Sequence, residues 1–345
     1  MRETLSRRVL VAAAALTFAA GCSNNPTSFT PGQSSSLSPS SQRIVAGMRV
    51  LPGPAVAGPI IVPLVPRDVN APRGWPVEPA RHHRHPQLLF VADSSSGVLI
   101  YNPATVNGSP TGSITNGVNA PAQLAVDKAS TLYVVNDGNN TITVYAKGSK
   151  TPKLTISSGL SGPYGVTVDS SGEVFASNLN TNTVVGYKAG QTSPFETINF
   201  STLGQPVGLG VDSSDNIWVA CDSTNAVFEI PKGSSTPKNA NLSGLNGPIG
   251  ISFGGSNLTY VSNFGANPSN VQVYTYGTTT PKATITTGIE QNGPTLNAVT
   301  HSNTFFQSNQ GFNVVGYKLG GTSPFSTLKG ASSPLGIASS PLVAK

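Results

Sequence analysis

From residue 88 onward, apolar and polar positions follow one another in short runs broken by Gly, Pro, Asn, Asp and Ser. Runs such as Leu132-Tyr133-Val134-Val135-Asn136 and Val174-Phe175-Ala176-Ser177-Asn178 are apolar on successive positions. That pattern predicts strands covered on both faces. Pro163-Tyr164-Gly165-Val166-Thr167-Val168 and Pro206-Val207-Gly208-Leu209-Gly210-Val211 predict Gly-rich strands whose backbone approaches a neighbour closely. Asp169-Ser170-Ser171-Gly172 and Asp212-Ser213-Ser214-Asp215 supply hairpin turns. No part of this region spaces its apolar residues at the 3.6 period of a helix.

These runs recur at about 43 residues, a length typical of repeat architectures that stack one supersecondary unit on the next. Three landmarks keep a fixed order. Pro-x-Gly-apolar starts at Pro163, Pro206 and Pro248, with weaker copies at Pro121, Pro294 and Pro334. An apolar strand follows, its aromatic residue recurring at Phe90, Tyr133, Phe175, Trp218, Tyr260 and Phe306. The third strand ends at Tyr101, Tyr145, Tyr187, Ile230, Tyr274 and Tyr317, and a short outer strand such as Lys153–Ser157 completes the unit. The region begins mid-repeat, near Leu88, and ends on a Pro-type strand at Pro334–Ser339. The first three strands and the last one therefore complete a single unit. Such closure removes the open edges that a linear stack would leave. The expectation is an all-β fold, a six-bladed β-propeller closed by N-terminal strands pairing with a C-terminal inner strand.

Pro-x-Gly-apolar followed by the aromatic-Asn strand resembles the NHL repeat and the related gluconolactonase-like propellers, over about residues 87–345. The resemblance implies architecture and leaves function open, because propellers host many unrelated sites. Val184–Lys188 with Ser193–Phe195, and Val314–Lys318 with Ser323–Phe325, repeat the same words and read as duplication.

The formal charge of +6 changes the picture only through its location. All nine arginines lie in residues 1–86 against Glu3, Asp68 and Glu78, whereas residues 87–345 hold eleven lysines against seven Asp and four Glu. A neutral domain without arginine lacks the clustered cations of a phosphate-reading surface, so nucleic acid is excluded as the main partner. Of the two cysteines, Cys221 falls in an apolar strand and reads as a small core residue.

The first 86 residues read as address and tether. Arg2, Arg7 and Arg8 precede an apolar run, Val9 to Ala20, too short to span a bilayer permanently. It ends in Ala19-Ala20-Gly21-Cys22, which resembles the bacterial lipobox with Ala19 where Leu is usual. Residues 1–22 are thus a lipoprotein signal, with Cys22 as the lipidated residue and the membrane as partner. Ser23 stands where the inner-membrane retention pattern has Asp, which favours display at the outer membrane or cell surface. Ser6-Arg7-Arg8-Val9-Leu10 is also a partial twin-arginine signal, so the export route stays open. Residues 23–86 are Pro- and Ser-rich and too poor in apolar residues to fold, a tether in which Arg81-His82-His83-Arg84-His85 reads as a solvated charge run.

The ring admits three readings. A metal-dependent, gluconolactonase-like hydrolase needs carboxylate and amide oxygens at the channel mouth to hold a divalent cation. The positions after each Pro are Ala122, Tyr164, Val207, Ile249, Thr295 and Leu335, none of them acidic. Asn297 is a lone metal-ligand candidate, and His301, the only His of the domain, lies in a turn. No cofactor is expected unless that alternative holds. The favoured reading is a monomeric, non-catalytic binding scaffold for a glycan or protein ligand. Its candidate face carries the second-to-third strand loops, with Asn136, Asn178, Asn263 and Asn309, and with Tyr164 and Phe264 as an apolar platform. Fixed amides suit hydroxyl-rich or peptide ligands, but the same residues also build Asx-turns. A spacer without any ligand is the third reading.

Overall fold

The computed structural model describes residues 87–340. The expected signal, Cys22, the tether and its His cluster lie outside the described residues. The chain opens with β1 (Leu89–Asp93), β2 (Gly97–Tyr101) and β3 (Gly112–Ile114). Four meanders follow: β4–β7 (Pro121–Val126, Leu132–Asn136, Thr141–Tyr145, Leu154–Ile156), β8–β11 (Pro163–Val168, Val174–Asn178, Thr183–Tyr187, Glu196–Asn199), β12–β15 (Pro206–Val211, Ile217–Cys221, Ala226–Ile230, Lys238–Asn239) and β16–β19 (Pro248–Gly254, Leu258–Asn263, Asn270–Thr275, Ala283–Ile285). β20–β23 (Pro294–Val299, Thr304–Asn309, Asn313–Lys318, Pro324–Leu328) and β24 (Pro334–Ser339) end it. Two single 3-10 turns, Asp137–Asn139 and Gly255–Asn257, are the helical content of the described residues.

The strands form six antiparallel four-stranded sheets. Blade one has the order β24-β1-β2-β3, so the last strand of the chain is the inner strand of the first blade. Leu89 pairs with Ser339 and Val91 with Ile337. The expected all-β, six-bladed ring and its split closing blade are both present.

Burial explains the sequence pattern. The second strands are buried at every position but Thr304, as in LYVVN and VFASN, because a neighbouring blade covers each face. The outer strands bury at most one apolar residue each, as at Ile114, Ile156 and Ile285, and that of blade four buries none. The core consists of apolar clusters between successive blades. One joins Phe90 and Val98 of blade one to Leu124 and Leu132 of blade two, and another joins Tyr260 and Val273 of blade five to Phe305 and Val315 of blade six.

Each inner strand slips register by one residue just after its Pro, as between Pro121 and Leu124. The bulge frees one residue there to turn toward the axis. The recurring Tyr of the third strand fastens each blade to the link arriving from the blade before. Tyr145 Oη donates to the carbonyl of Asn116 at 2.6 Å, Tyr187 to Ser158 at 2.7 Å and Tyr274 to Ser243 at 2.7 Å. Tyr101 and Tyr317 donate likewise to Lys329 and Thr287. Blade four has Ile230 instead. Its incoming link is held by Phe200, fully buried and set edge-on to Phe228 at 5.9 Å.

Candidate functional site at the channel mouth

The inner strands approach so closely that side chains are nearly excluded from the axis. A Cβ on Gly250 would stand 2.6 Å from the carbonyl oxygen of Thr295, and Gly165, Gly208 and Gly336 meet Val207, Ile249 and Ala122 carbonyls in the same way. The two remaining positions of this ring are Gln123 and Leu296. Gln123 reaches two blades: its Oε1 accepts from the amides of Val166 (3.2 Å) and Leu209 (2.9 Å), and its Nε2 donates to the Leu209 carbonyl (2.6 Å). Leu296 packs in one cluster with Ala122, Tyr164, Val207 and Ile249. The channel below its mouth is thus filled, with one amide bridging blades two, three and four.

The four asparagines expected on the ligand face are inside the fold. Asn136, Asn178, Asn263 and Asn309 are at most 1% exposed. Each Oδ1 accepts from an amide of the incoming link: Asn119 at 2.9 Å, Ser161 at 2.9 Å, Asn246 at 3.2 Å and Glu290 at 3.3 Å. Asn178, Asn263 and Asn309 also donate from Nδ2 to the carbonyls of Gly159, Gly244 and Gly288, and Asn136 donates to Thr143 Oγ1. The amides therefore position the loops of that face, and other groups form its surface. Asp93 does the same work in blade one, its Oδ2 accepting from Ser332 and Ser333 at 2.8 Å. In blade four Cys221 occupies the slot, which sequence could have revealed only by aligning the six ends of the second strands.

The surface belongs to the residues one step further on: Ser94, Asp137, Leu179, Asp222, Phe264 and Gln310. All but Ser94 are half-buried. The backbone amides of five of them, all but that of Asp222, bond back to the link. Asp137 does so to Ala120 (3.1 Å), Leu179 to Gly162 (2.9 Å) and Phe264 to Gly247 (2.9 Å). Within this circle lies Tyr164, 7% exposed, on the inner strand of blade three between the Asp137 loop of blade two and the Asp222 loop of blade four. Among the described residues its hydroxyl takes no hydrogen-bond partner. Burial, and then the charges of Asp137 and Asp222, push that hydroxyl far above its ordinary value. Burial also raises the carboxyl of Asp137, and in Asp222 it outweighs the opposing pull of the Ser223 amide. Asp222 Oδ1 is buried without a hydrogen-bond partner among the described residues. Neither acid takes part in the ion pairs of the described residues, which are Lys188 with Glu173 and Lys232 with Asp215.

Phe264 packs against the same apolar cluster as Tyr164. Its loop is braced by the longer link before blade six: Gln291 Oε1 accepts from Ser269 at 3.1 Å, and Gln291 Nε2 donates to the Ala266 carbonyl at 3.2 Å. Phe264 thus borders the cluster that contains Tyr164, whereas Asn297 lies apart from the mouth. Its Nδ2 donates to Ser262 Oγ at 2.6 Å, Ser262 donates on to Gln307 at 2.7 Å, and Asn297 Oδ1 is buried without a partner. Its immediate neighbours are neutral amides and hydroxyls, a poor donor set for a divalent cation, which favours carboxylates. His301 is exposed.

A second concavity, about 300 Å³, opens between blades four and five beside Trp218, Glu229, Lys238 and Tyr276. Its aromatic polar groups are engaged within the fold, Trp218 Nε1 and Tyr276 Oη both donating to Asp212 Oδ2 at 2.9 and 2.7 Å. The mouth differs in offering groups without partners.

Cys221 is fully buried, and burial, then the charge of Asp222, pushes its thiol up to about 12. In a chain carrying Cys22→Ser, a thiol probe at pH 8 is expected to leave the native protein unmodified and to label it after denaturation. Rapid native labelling would place the thiol at the surface.

The arrangement defines the class: a six-bladed β-propeller with a filled channel and a half-buried acidic and aromatic mouth. No protein-family model and no curated protein matches the chain. Solved structures do. A chain in the crystal structure of a nidogen–laminin complex aligns with TM-score 0.61 at 14% identity, over 73% of this chain and 98% of its own. A protein of unknown function from Bacteroides caccae aligns with TM-score 0.56 at 11% identity, over 74% of this chain and 98% of its own. At those identities the likeness is one of fold.

Proposed function

We propose that this is an exported, non-catalytic binding protein, held at a membrane through lipidated Cys22, whose propeller captures a cationic side chain of a protein ligand at the channel mouth. The observation that carries the reading is Tyr164, buried between Asp137 and Asp222, two carboxylates that take part in no ion pair among the described residues. Desolvated carboxylates are costly when unpaired, and an arriving ammonium recovers that cost. Tyr164 and Phe264 add faces suited to the methylene stem and charge of a lysine. A neutral glycan finds fewer partners here, because the four asparagine amides are committed to loop backbone.

Trilysine is the probe. At saturating peptide and pH 7.5 a stabilising thermal shift is expected, of order 2.7 kcal/mol at a hundred times the dissociation constant. Asp137→Asn with Asp222→Asn is expected to abolish it. Because burial raises both carboxyls, and the charged forms are the ones that bind, affinity should decline as pH is lowered, starting at a higher pH than ordinary carboxylates would give. A shift produced by maltotriose or chitotriose and not by trilysine would replace this reading with the glycan one. A saturable shift with calcium or zinc that chelator reverses would bring back the hydrolase.

A further inference from the structure

The neutral domain is electrically two-sided. Strand register places the first-to-second and third-to-fourth strand turns on the face opposite the mouth, since Val126 pairs with Leu132 and Leu132 with Tyr145 at that end. Lys147, Lys150, Lys153, Lys188, Lys232, Lys238, Lys282 and Lys318 all lie at third-to-fourth strand turns of blades two to six, and Lys128 lies in a first-to-second turn. All nine lysines are exposed. The acids in or beside those turns are Asp127, Asp169, Glu173, Glu196, Asp212, Asp215 and Glu229, two of them paired with Lys188 and Lys232. The mouth face carries Asp93, Asp137, Asp222 and Glu290 against one lysine, Lys329. The described chain also enters and leaves the propeller at the lysine face, where Leu89 pairs with Ser339. The stretch before it, residues 1–86, holds nine arginines against three acids.

We infer that this lysine face docks on an anionic phospholipid surface, leaving the mouth pointing away from it. Lysines spread around one side of a disc meet a plane of phosphates evenly. A nucleic-acid groove would call for a concentrated cationic stripe, and residues 87–345 contain no arginine. Lysines near an anionic bilayer each contribute about 1 kcal/mol, roughly a fivefold gain in affinity.

The test uses the full chain without lipid and its Lys147→Gln/Lys150→Gln/Lys282→Gln/Lys318→Gln variant. Co-sedimentation is measured with phosphatidylcholine vesicles, with and without phosphatidylglycerol, at low and high salt. Residues 1–86 are identical in both proteins, so a difference belongs to the propeller. The wild type should bind the anionic vesicles in low salt and release them in high salt. The Gln variant should bind at least tenfold more weakly with an unchanged melting temperature, and the corresponding Lys→Arg variant should bind like the wild type. Equal binding by the Gln and wild-type chains, or equal binding to both vesicle types, would overturn the proposal.

Discussion

Gly208→Ala is expected to destabilise the propeller by about 3 kcal/mol or more, the upper end of what overpacking costs. The added methyl would collide with the carbonyl oxygen of Ile249 and stand 2.8 Å from Leu296 Cδ2. Neither can withdraw. The first is backbone of the next blade, and the second fills the axis against Ala122, Tyr164 and Val207. Gly148→Ala is the contrasting substitution. Gly148 has φ +73° with nothing within 4 Å of a Cβ, so its change should cost only the left-handed backbone penalty, about 1–2 kcal/mol. Chemical denaturation midpoints for the two variants separate crowding at the axis from turn conformation. Equal losses would mean that the inner strands can spread, and the account of the closed channel would fail.

Gln123→Met should cost a further few kcal/mol by a different route. Methionine keeps the length of the side chain and removes three hydrogen bonds, two from the Val166 and Leu209 amides and one to the Leu209 carbonyl. Those groups face a buried axis, where each lost bond is worth about 1 kcal/mol and an unsatisfied group more, giving roughly 3 kcal/mol in all. Gln123→Met is expected to lower the denaturation midpoint while leaving far-ultraviolet circular dichroism unchanged. A midpoint within error of wild type would mean that water reaches these groups, and that the channel is open.

Much of the architecture was legible because a propeller repeats its constraints. The Pro, the aromatic and the Tyr are each demanded by a local duty: the bulge at the mouth, the twice-covered strand, and the hydroxyl clamp. The asparagines were legible as a recurring position but not as a function. A short amide at the end of a strand suits a ligand face and a loop staple equally well. Only the return of the link from the preceding blade, bringing the Ser161 amide to 2.9 Å from Asn178, decides between them. Cys221 shows the same ambiguity in reverse, an apolar word in the strand pattern that proves to be the vacant staple of blade four.

The candidate site was legible in part. Tyr164 and Phe264 could be placed near the mouth from their spacing, but nothing in the linear pattern sets Asp137 and Asp222 apart from the other polar residues of those loops. Their significance comes from burial and from proximity to a residue on a different blade, and neither is written in a linear pattern. The sidedness of charge was hidden for the same reason, since lysines and acids alternate along the chain and the excess of lysine on one face emerges only when the turns are sorted onto two.

By itself, then, the amino-acid order determined the strand content, the six repeats and the closing blade, because each follows from which short segments can bury apolar faces and where turns must fall. Tertiary structure decided which polar residues face one another across blades and which are left without partners, because those distances depend on the closed ring.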